Sequence, residues 1–153
     1  MAKDSSDVVK ESFSPVDPVV VTAERIAGFC NAVGENNPLF TDAAAAATGP
    51  YGGIIAPPSY VASPLFRRQE SSEDRNERFR RGGLMAGIDM EFEAPIRPGD
   101  SISVATEIKE TYEKTGRSGT MTFTVIRSTL TNQRGEVVAR VDHRMMSRKA
   151  SQG

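Results

Sequence analysis

The stretch LMAGIDMEF, residues 84–92, marks the point at which the apolar pattern of this chain changes its period. Its alternate positions hold Leu84, Ala86, Ile88, Met90 and Phe92. An apolar residue at every second position is typical of a β-strand with one buried face, whereas the apolar residues upstream recur at helical spacing. The change of period therefore divides the chain into a helical N-terminal part and a strand-rich C-terminal part.

Three further stretches downstream show the same alternation. Together with the first stretch they predict strands over residues 84–93, 101–113, 120–131 and 136–147. Turn-forming residues separate them at 95–100, 114–119 and 132–135. We therefore predict an antiparallel meander of four long strands.

The N-terminal part carries the signals of short helices. Thr22 precedes a helical apolar pattern that ends at Gly34, as an N-cap and a C-terminal glycine would. Asp42 precedes the alanine run 43–47 and predicts a second capped helix. The apolar residues after Pro57 and Pro58 predict a long buried helix over 58–67, because proline is tolerated in the first turn.

One buried helix and a long-stranded sheet predict a single α+β domain, in which a curved antiparallel sheet wraps a long central helix. We place this domain at residues 15–148, between flexible tails over 1–14 and 149–153. The almost wholly polar stretch 68–82 is expected to be the least ordered internal segment.

The composition of the 153-residue chain excludes several classes of protein. A net charge of −1 disfavours a nucleic-acid-binding protein. The one cysteine, Cys30, cannot form an internal disulfide, and its apolar helical surroundings predict a buried, inert thiol. No metal-ligand spacing is visible, and no stretch is long and apolar enough to span a membrane. Since residues 1–14 also lack the apolar core of a signal peptide, we expect a cytoplasmic protein.

Three motifs occur in one order along the chain: GENNPLFTD at 34–42, YGGIIAPP at 51–58 and APIRPGD at 94–100. The first resembles the hydratase motif of MaoC-like and (R)-specific enoyl-CoA hydratases, which reads G-D-x-N-P-[LI]-H-x-D. The second is similar to the family's glycine-containing loop before the central helix, and the third to its turn between strands. The resemblance covers about residues 20–145 and implies a hotdog fold.

The family's activity is the addition of water to an enoyl thioester, or the reverse elimination. It implies a water held between an aspartate and a histidine, which exchange protons with the substrate, and backbone N–H groups that stabilise the thioester oxygen. This sequence has Glu35 at the aspartate position and Phe40 at the histidine position. Phenylalanine has no proton to exchange, and the one histidine, His143, lies in the last predicted strand, where we interpret it as a strand residue.

The pattern most closely resembles the supporting subunits of heteromeric 3-hydroxyacyl-thioester dehydratases. That branch implies a second MaoC-like hotdog subunit with the Asp/His pair, and it implies a substrate carried on coenzyme A or acyl carrier protein, with no other cofactor and no metal. Glu35 is the one candidate catalytic residue. The residues expected to bind substrate are Asn36, Asn37, Pro38, Phe40, Tyr51, Gly52, Gly53, Ile55, Ala56, Pro57 and Ser59. Phe40 is expected to face a pocket between residues 35–40 and 51–59.

Two alternatives remain open at this point. The chain could be a self-sufficient homodimeric hydratase that uses Glu35, or a hotdog module that binds acyl thioesters without turning them over. A thioesterase is disfavoured because the predicted central helix offers no acid before Glu70. In each case an exposed sheet edge predicts a double hotdog, either with a copy of this chain or with a homologous partner.

Overall fold

A computed structural model of the chain describes residues 16–66, 83–117 and 119–148. The tails predicted over 1–14 and 149–153, and the segment 68–82, lie outside the described residues. The domain boundaries therefore stay predictions. Within the described residues, no helix is both long and apolar enough to cross a membrane.

Five antiparallel strands form one sheet in the order β1-β3-β4-β5-β2. Their bounds are β1 Val16–Val20, β2 Leu84–Phe92, β3 Ser101–Gly116, β4 Gly119–Thr131 and β5 Val137–Arg148. The four predicted strands are confirmed, each to within three residues. Strand β1 was not predicted, because it is short and contains Pro18, which is tolerated at a sheet edge such as this one.

The predicted meander is wrong in one respect. Strands β3, β4 and β5 do follow one another, but β2 pairs with β5 at the far side of the sheet instead of with β3. The connection over residues 93–100 is long enough to reach the opposite side. It also pairs with the N-terminal part, since the amide of Ala56 donates to the carbonyl of Ile96 at 2.8 Å.

Strand β2 also departs from a strict alternation. Its register against β5 shifts between Met85 and Gly87, so that Ile88 pairs with His143 but Leu84 pairs with Met146. Paired residues lie on the same face of a sheet, and residues three apart on β5 lie on opposite faces. The bulge therefore places Leu84 on the face opposite Ile88, contrary to the face predicted from the sequence.

The two predicted capped helices are confirmed. Helix α1, Ala23–Val33, begins at Thr22, whose side chain accepts from the amide of Arg25. It ends at Gly34, whose φ of 72° is a left-handed conformation that glycine adopts without strain. A short helix, α2 (Pro38–Thr41), follows, and α3 (Ala43–Ala47) is capped by the Asp42 carboxylate.

The long helix predicted over 58–67 is absent from its described part. Residues Pro58–Ala62 and Pro64–Phe66 form two short 3-10 helices instead, here called the 3-10 segment. Ser63 between them is extended, with ψ of 144°. The reason is Pro64, which lacks an amide hydrogen and disfavours a helical conformation of the residue before it.

One hydrophobic core joins the helices, the 3-10 segment and the sheet. Its buried members come from every part of the described chain: Val21, Ile26, Cys30, Phe40, Ile55, Ala56, Tyr60, Val61, Phe66, Ile96, Ile102, Val104, Leu130, Val138, Ala139 and Val141. A single core shared by helical segments and an antiparallel sheet is the α+β arrangement predicted from the sequence.

An ion cluster around the buried Asp142 lies across the three central strands. The two carboxylate oxygens of Asp142 accept from Nε and Nη2 of Arg127 at 2.7 and 2.8 Å, and Nζ of Lys109 donates at 2.8 Å. These hydrogen bonds lower the pKa of Asp142 and raise that of Arg127. The cluster therefore ties β3, β4 and β5 together by charge as well as by backbone hydrogen bonds.

Candidate functional site

The motif turn after α1 holds Glu35 against its own backbone. The amide of Glu35 donates to the carbonyl of Cys30 at 2.8 Å, which completes the helix end. Its half-buried carboxylate accepts at Oε1 from the amide of Asn37 at 2.9 Å. One carboxylate oxygen is thus used within the turn, and no hydrogen bond is observed from a described residue to the other.

The asparagine and aspartate of the same motif act as helix caps. The side chain of Asn37 accepts from the amide of Leu39 at 3.0 Å at the start of α2. The carboxylate of Asp42 accepts from the amides of Ala44 and Ala45 at 2.9 and 3.0 Å. The spacing of the motif therefore has a structural cause, because each polar residue satisfies amides that a helix start leaves unpaired.

Phe40 is buried, at 8 % exposure, and belongs to the same core cluster as Ile55, Ala56 and Tyr60. The family's histidine position is thus occupied by a core side chain without a titratable group. The motif turn and the loop over 51–59 both contribute side chains to this cluster, and the pocket expected between them stays a prediction.

The loop over residues 51–57 is held to the turn between β2 and β3. Nη1 of Arg97 donates to the carbonyl of Tyr51 at 2.8 Å, and Gly52 adopts a φ of 66°. The amides of Gly53 and Ile54 donate no hydrogen bond to another described residue. A Cβ atom at Gly53 would meet no heavy atom of the described chain within 4 Å. The amides of Gly53 and Ile54 could donate to a polarised oxygen of a ligand, and the space beside Gly53 would let that oxygen approach the backbone.

The third motif proves to be structural. Asp100 is buried and accepts from the amide of Arg97 at 2.8 Å and from the side chain of Gln133 at 3.1 Å. It is also paired with Arg134 at 3.4 Å. These contacts join the turn before β3 to the turn before β5. The 51–57 loop is attached to the first of these turns through Arg97.

Two residues considered for chemistry, Cys30 and His143, lie within secondary-structure elements. Cys30 is fully buried, and its burial, followed by the charge of Glu35, raises the pKa of its thiol. The reactive thiolate form is therefore disfavoured at neutral pH. His143 lies within β5, paired with Ile126 on one side and Ile88 on the other, and is a strand residue, as interpreted from the sequence.

The remaining predicted site residues divide by burial. Ile55, Ala56 and Pro57 are buried, whereas Asn36, Asn37, Pro38, Tyr51, Gly52 and Ser59 are exposed and Gly53 is half-buried. Among the described residues, no group of three or more His, Cys, Asp or Glu side chains could hold a metal ion. Tyr60, in the apolar stretch predicted to form the buried helix, is fully buried, and apolar spacing alone cannot show that its hydroxyl is buried with it.

Comparison with known proteins identifies the family. The model for "FAS1-like, dehydratase domain region" matches residues 8–141 of the chain. A UPF0336 protein of Streptomyces avermitilis is 30% identical over 156 residues, covering 100% of both chains.

Solved structures of similar fold include proteins named as dehydratases. The ChsH1-ChsH2 complex from Mycobacterium tuberculosis gives a TM-score of 0.75 at 19% identity, covering 94% of this chain and 87% of that one. A MaoC-like dehydratase from Rhodospirillum rubrum gives 0.70 at 23% identity, with 93% of each chain covered. The HadBC (3R-hydroxyacyl-ACP dehydratase) complex from M. tuberculosis gives 0.70 at 23%, covering 93% and 98%. The chain therefore belongs to the FAS1-like, dehydratase domain region family, and it has the hotdog fold, which it shares with these solved structures.

Proposed function

We propose that this chain is the substrate-accommodating subunit of a heteromeric enoyl-thioester hydratase or dehydratase, and that a second hotdog chain supplies the acid–base pair. The observation that carries the proposal is the burial of Phe40 in the core at the histidine position of the motif. Hydration requires one group to take a proton from water and another to deliver one to carbon. The motif turn offers only Glu35 for these two tasks.

The remaining features of the site suit an acyl thioester carried on coenzyme A or acyl carrier protein. The apolar residues Phe40, Ile55 and Ala56 would contact an acyl chain. The amides of Gly53 and Ile54 would donate to the thioester oxygen, which gains negative charge during the reaction. Neither role requires a titratable side chain on this subunit.

The exposed edge strand β2 supports the proposal of a partner subunit. Strand β2 is the last strand in the sheet order and has one neighbour among the described residues. It carries three of the exposed large apolar side chains: Leu84, Met85 and Phe92, at 58, 50 and 48 % exposure. An unpaired edge with apolar side chains favours pairing with another strand. Since two of the similar structures are complexes named for two components, we propose a homologous hotdog as the occupant.

The test begins with co-purification of the chain from its native host and identification of any second hotdog protein. Hydration of crotonyl-CoA is then measured for the chain alone and for the complex. We expect activity only in the complex. Activity of the chain alone would contradict the proposal, and tight binding of crotonyl-CoA without turnover in the complex would indicate a non-enzymatic binding module instead.

Two variants sharpen this assay. Glu35→Gln in the complex is expected to retain a rate near wild type, and Phe40→Ala is expected to weaken acyl-chain binding without abolishing turnover. Glu110→Gln, on the exposed part of β3, is the charge-matched control for Glu35. Phe40→Leu controls for loss of core packing, because it keeps most of the buried volume.

A self-sufficient homodimeric hydratase is the second candidate, and the half-buried carboxylate of Glu35 favours it. Its second oxygen is available to take a proton from water. If Glu35 is the base, Glu35→Gln lowers the rate by about 10²-fold or more, and the chain alone is active. The two candidate functions therefore predict different effects of Glu35→Gln on the rate of crotonyl-CoA hydration.

A further inference from the structure

Among the buried side chains that the structure describes, Tyr60 places a hydroxyl inside the hydrophobic core. Tyr60 is 0 % exposed, and its hydroxyl has no hydrogen-bond partner among the described residues. Buried tyrosine hydroxyls are ordinarily hydrogen-bonded, because an unpaired buried donor costs about 1–3 kcal/mol. A phenylalanine would make the same ring contacts without this cost.

The Tyr60 ring contacts two other aromatic side chains within this core. The Tyr60 ring lies edge-on to Phe29 of α1, with centroids 5.2 Å apart, and edge-on to Phe66 of the 3-10 segment, with centroids 5.4 Å apart. Burial raises the pKa of the hydroxyl, against the opposing charge of Arg25. At neutral pH it is therefore a neutral hydrogen-bond donor in an aromatic environment.

The segment that carries Tyr60 consists of two 3-10 turns instead of a continuous α-helix. The amides of Tyr60, Ser63 and Phe66 donate to the carbonyls of Pro57, Tyr60 and Ser63. Such turns have poorer hydrogen-bond geometry than an α-helix, and the extended Ser63 interrupts them. Tyr60 also follows directly on the 51–59 loop, at which the substrate is proposed to bind.

From these observations we infer that the Tyr60 hydroxyl donates a hydrogen bond to an oxygen on the acyl group of the substrate, distal to the thioester. The inference rests on the proposed function, in which the reacting carbons face the partner and the rest of the acyl group enters this chain. The Tyr60 hydroxyl is a single hydrogen-bond donor beside two aromatic rings. It would suit an acyl group that is apolar except for one acceptor oxygen. The substrate class is then an oxygen-bearing acyl thioester, in preference to a plain hydrocarbon chain.

The first experiment measures the free energy of unfolding of Tyr60→Phe in the chain alone. We expect no loss, or a small gain, because no hydrogen bond is removed in the free chain. A loss of about 1 kcal/mol or more would overturn the inference, since the hydroxyl would then be satisfied without a ligand, for example by a buried water.

The second experiment uses the complex with its hotdog partner and two matched ligand series, saturated acyl-CoAs and ω-hydroxyacyl-CoAs of the same chain lengths. For the wild type we expect tighter binding of the hydroxylated member at one chain length, by about tenfold. Tyr60→Phe should abolish this preference and leave binding of the saturated series unchanged. Tyr112→Phe, which removes a hydroxyl from the stacked pair Tyr112–Phe123 on the sheet, is the matched control.

Each other outcome has a distinct meaning. If Tyr60→Phe weakens both series equally, the hydroxyl contacts the thioester carbonyl and the inference about a distal oxygen is wrong. A wild type without preference at any chain length contradicts it as well. If neither series binds to the wild-type complex, the proposed function itself fails, and this inference fails with it.

Discussion

The sheet over residues 101–148 and the motif segments over 22–58 are held together in different ways. In the sheet, side-chain bonds join residues far apart in the chain, as Lys109 and Arg127 do with Asp142. In the motif segments, Asn37 and Asp42 bond to amides only two or three residues away. The sheet is thus a cooperative frame, whereas the site is set by short local caps that rest on it. Changes at the exposed polar residues of these motif segments should therefore cost the fold less than changes within the sheet.

The largest effect is expected from a cavity in the sheet. Leu130 of β4 is fully buried, so Leu130→Ala should lower the free energy of unfolding by about 2–5 kcal/mol. The matched control is Leu65→Ala in the 3-10 segment, where the leucine is 40 % exposed and the loss should stay below about 1 kcal/mol. Denaturant unfolding measures both variants, and equal losses would contradict the division into frame and site.

The ion cluster is expected to have the next largest effect. Asp142→Asn leaves Arg127 and Lys109 without their carboxylate and should cost about 2–3 kcal/mol at neutral pH, because Asp142 is buried although its partners keep some solvent contact. Asp89→Asn, whose side chain is exposed and bonds Arg144, should cost less than about 1 kcal/mol.

The pH dependence gives an independent check on this cluster. The pKa of Asp142 is lowered, so its contribution to stability is fully present above the ordinary aspartate value and is lost as the pH falls through the folded value. The difference between wild type and Asp142→Asn should therefore shrink in acid, below about pH 4. If the difference in the free energy of unfolding between wild type and Asp142→Asn stayed constant from neutral pH into this range, the charge of Asp142 would not be its cause.

A smaller effect is expected from the local caps. Asp42→Ala removes the acceptor of two amides at the start of α3 and should cost about 1 kcal/mol. Asp42→Asn keeps an oxygen acceptor and should cost less. Hydrogen exchange at Ala44 and Ala45 should rise more than exchange in the sheet, and a uniform rise across the chain would argue against a local role.

The smallest effect is expected at Glu35. Glu35→Gln keeps a side-chain oxygen that can accept from the amide of Asn37, so the free energy of unfolding should change by less than about 0.5 kcal/mol. This measurement makes the activity test of the same variant interpretable. A loss of rate accompanied by unchanged stability would then be a catalytic effect.

The two regions also differ in how far they could be predicted from the sequence. Period-two spacing predicted four of the five strands, and the capping residues Thr22 and Asp42 predicted α1 and α3, because these signals are local. The pairing of β2 with β5 could not be predicted this way, since alternation does not identify a strand's neighbours. Pro64 is a local signal against the helix predicted over 58–67, and in the structure it outweighs the helical spacing of the apolar residues around it.

The candidate site was predicted through a resemblance, and the structure adds what spacing cannot show. The motif residues Asn37 and Asp42 turn out to be caps, and Asp100 is a buried anchor of two turns. The assignments of Glu35 and Phe40 to substrate and catalysis stay predictions. The unpaired hydroxyl of Tyr60 depends on the packing of three segments, which no local pattern encodes.

The aromatic packing around Tyr60 has an optical consequence. The chain contains no tryptophan and only three tyrosines, so its near-ultraviolet circular dichroism comes mainly from tyrosine and phenylalanine side chains. A tyrosine that is 0 % exposed and fixed between two rings is in the most asymmetric surroundings of the three. The near-ultraviolet circular dichroism band of Tyr60 would therefore report on the packing of α1 against the 3-10 segment. The protein thus carries its own spectroscopic label at the place where a ligand is proposed to enter.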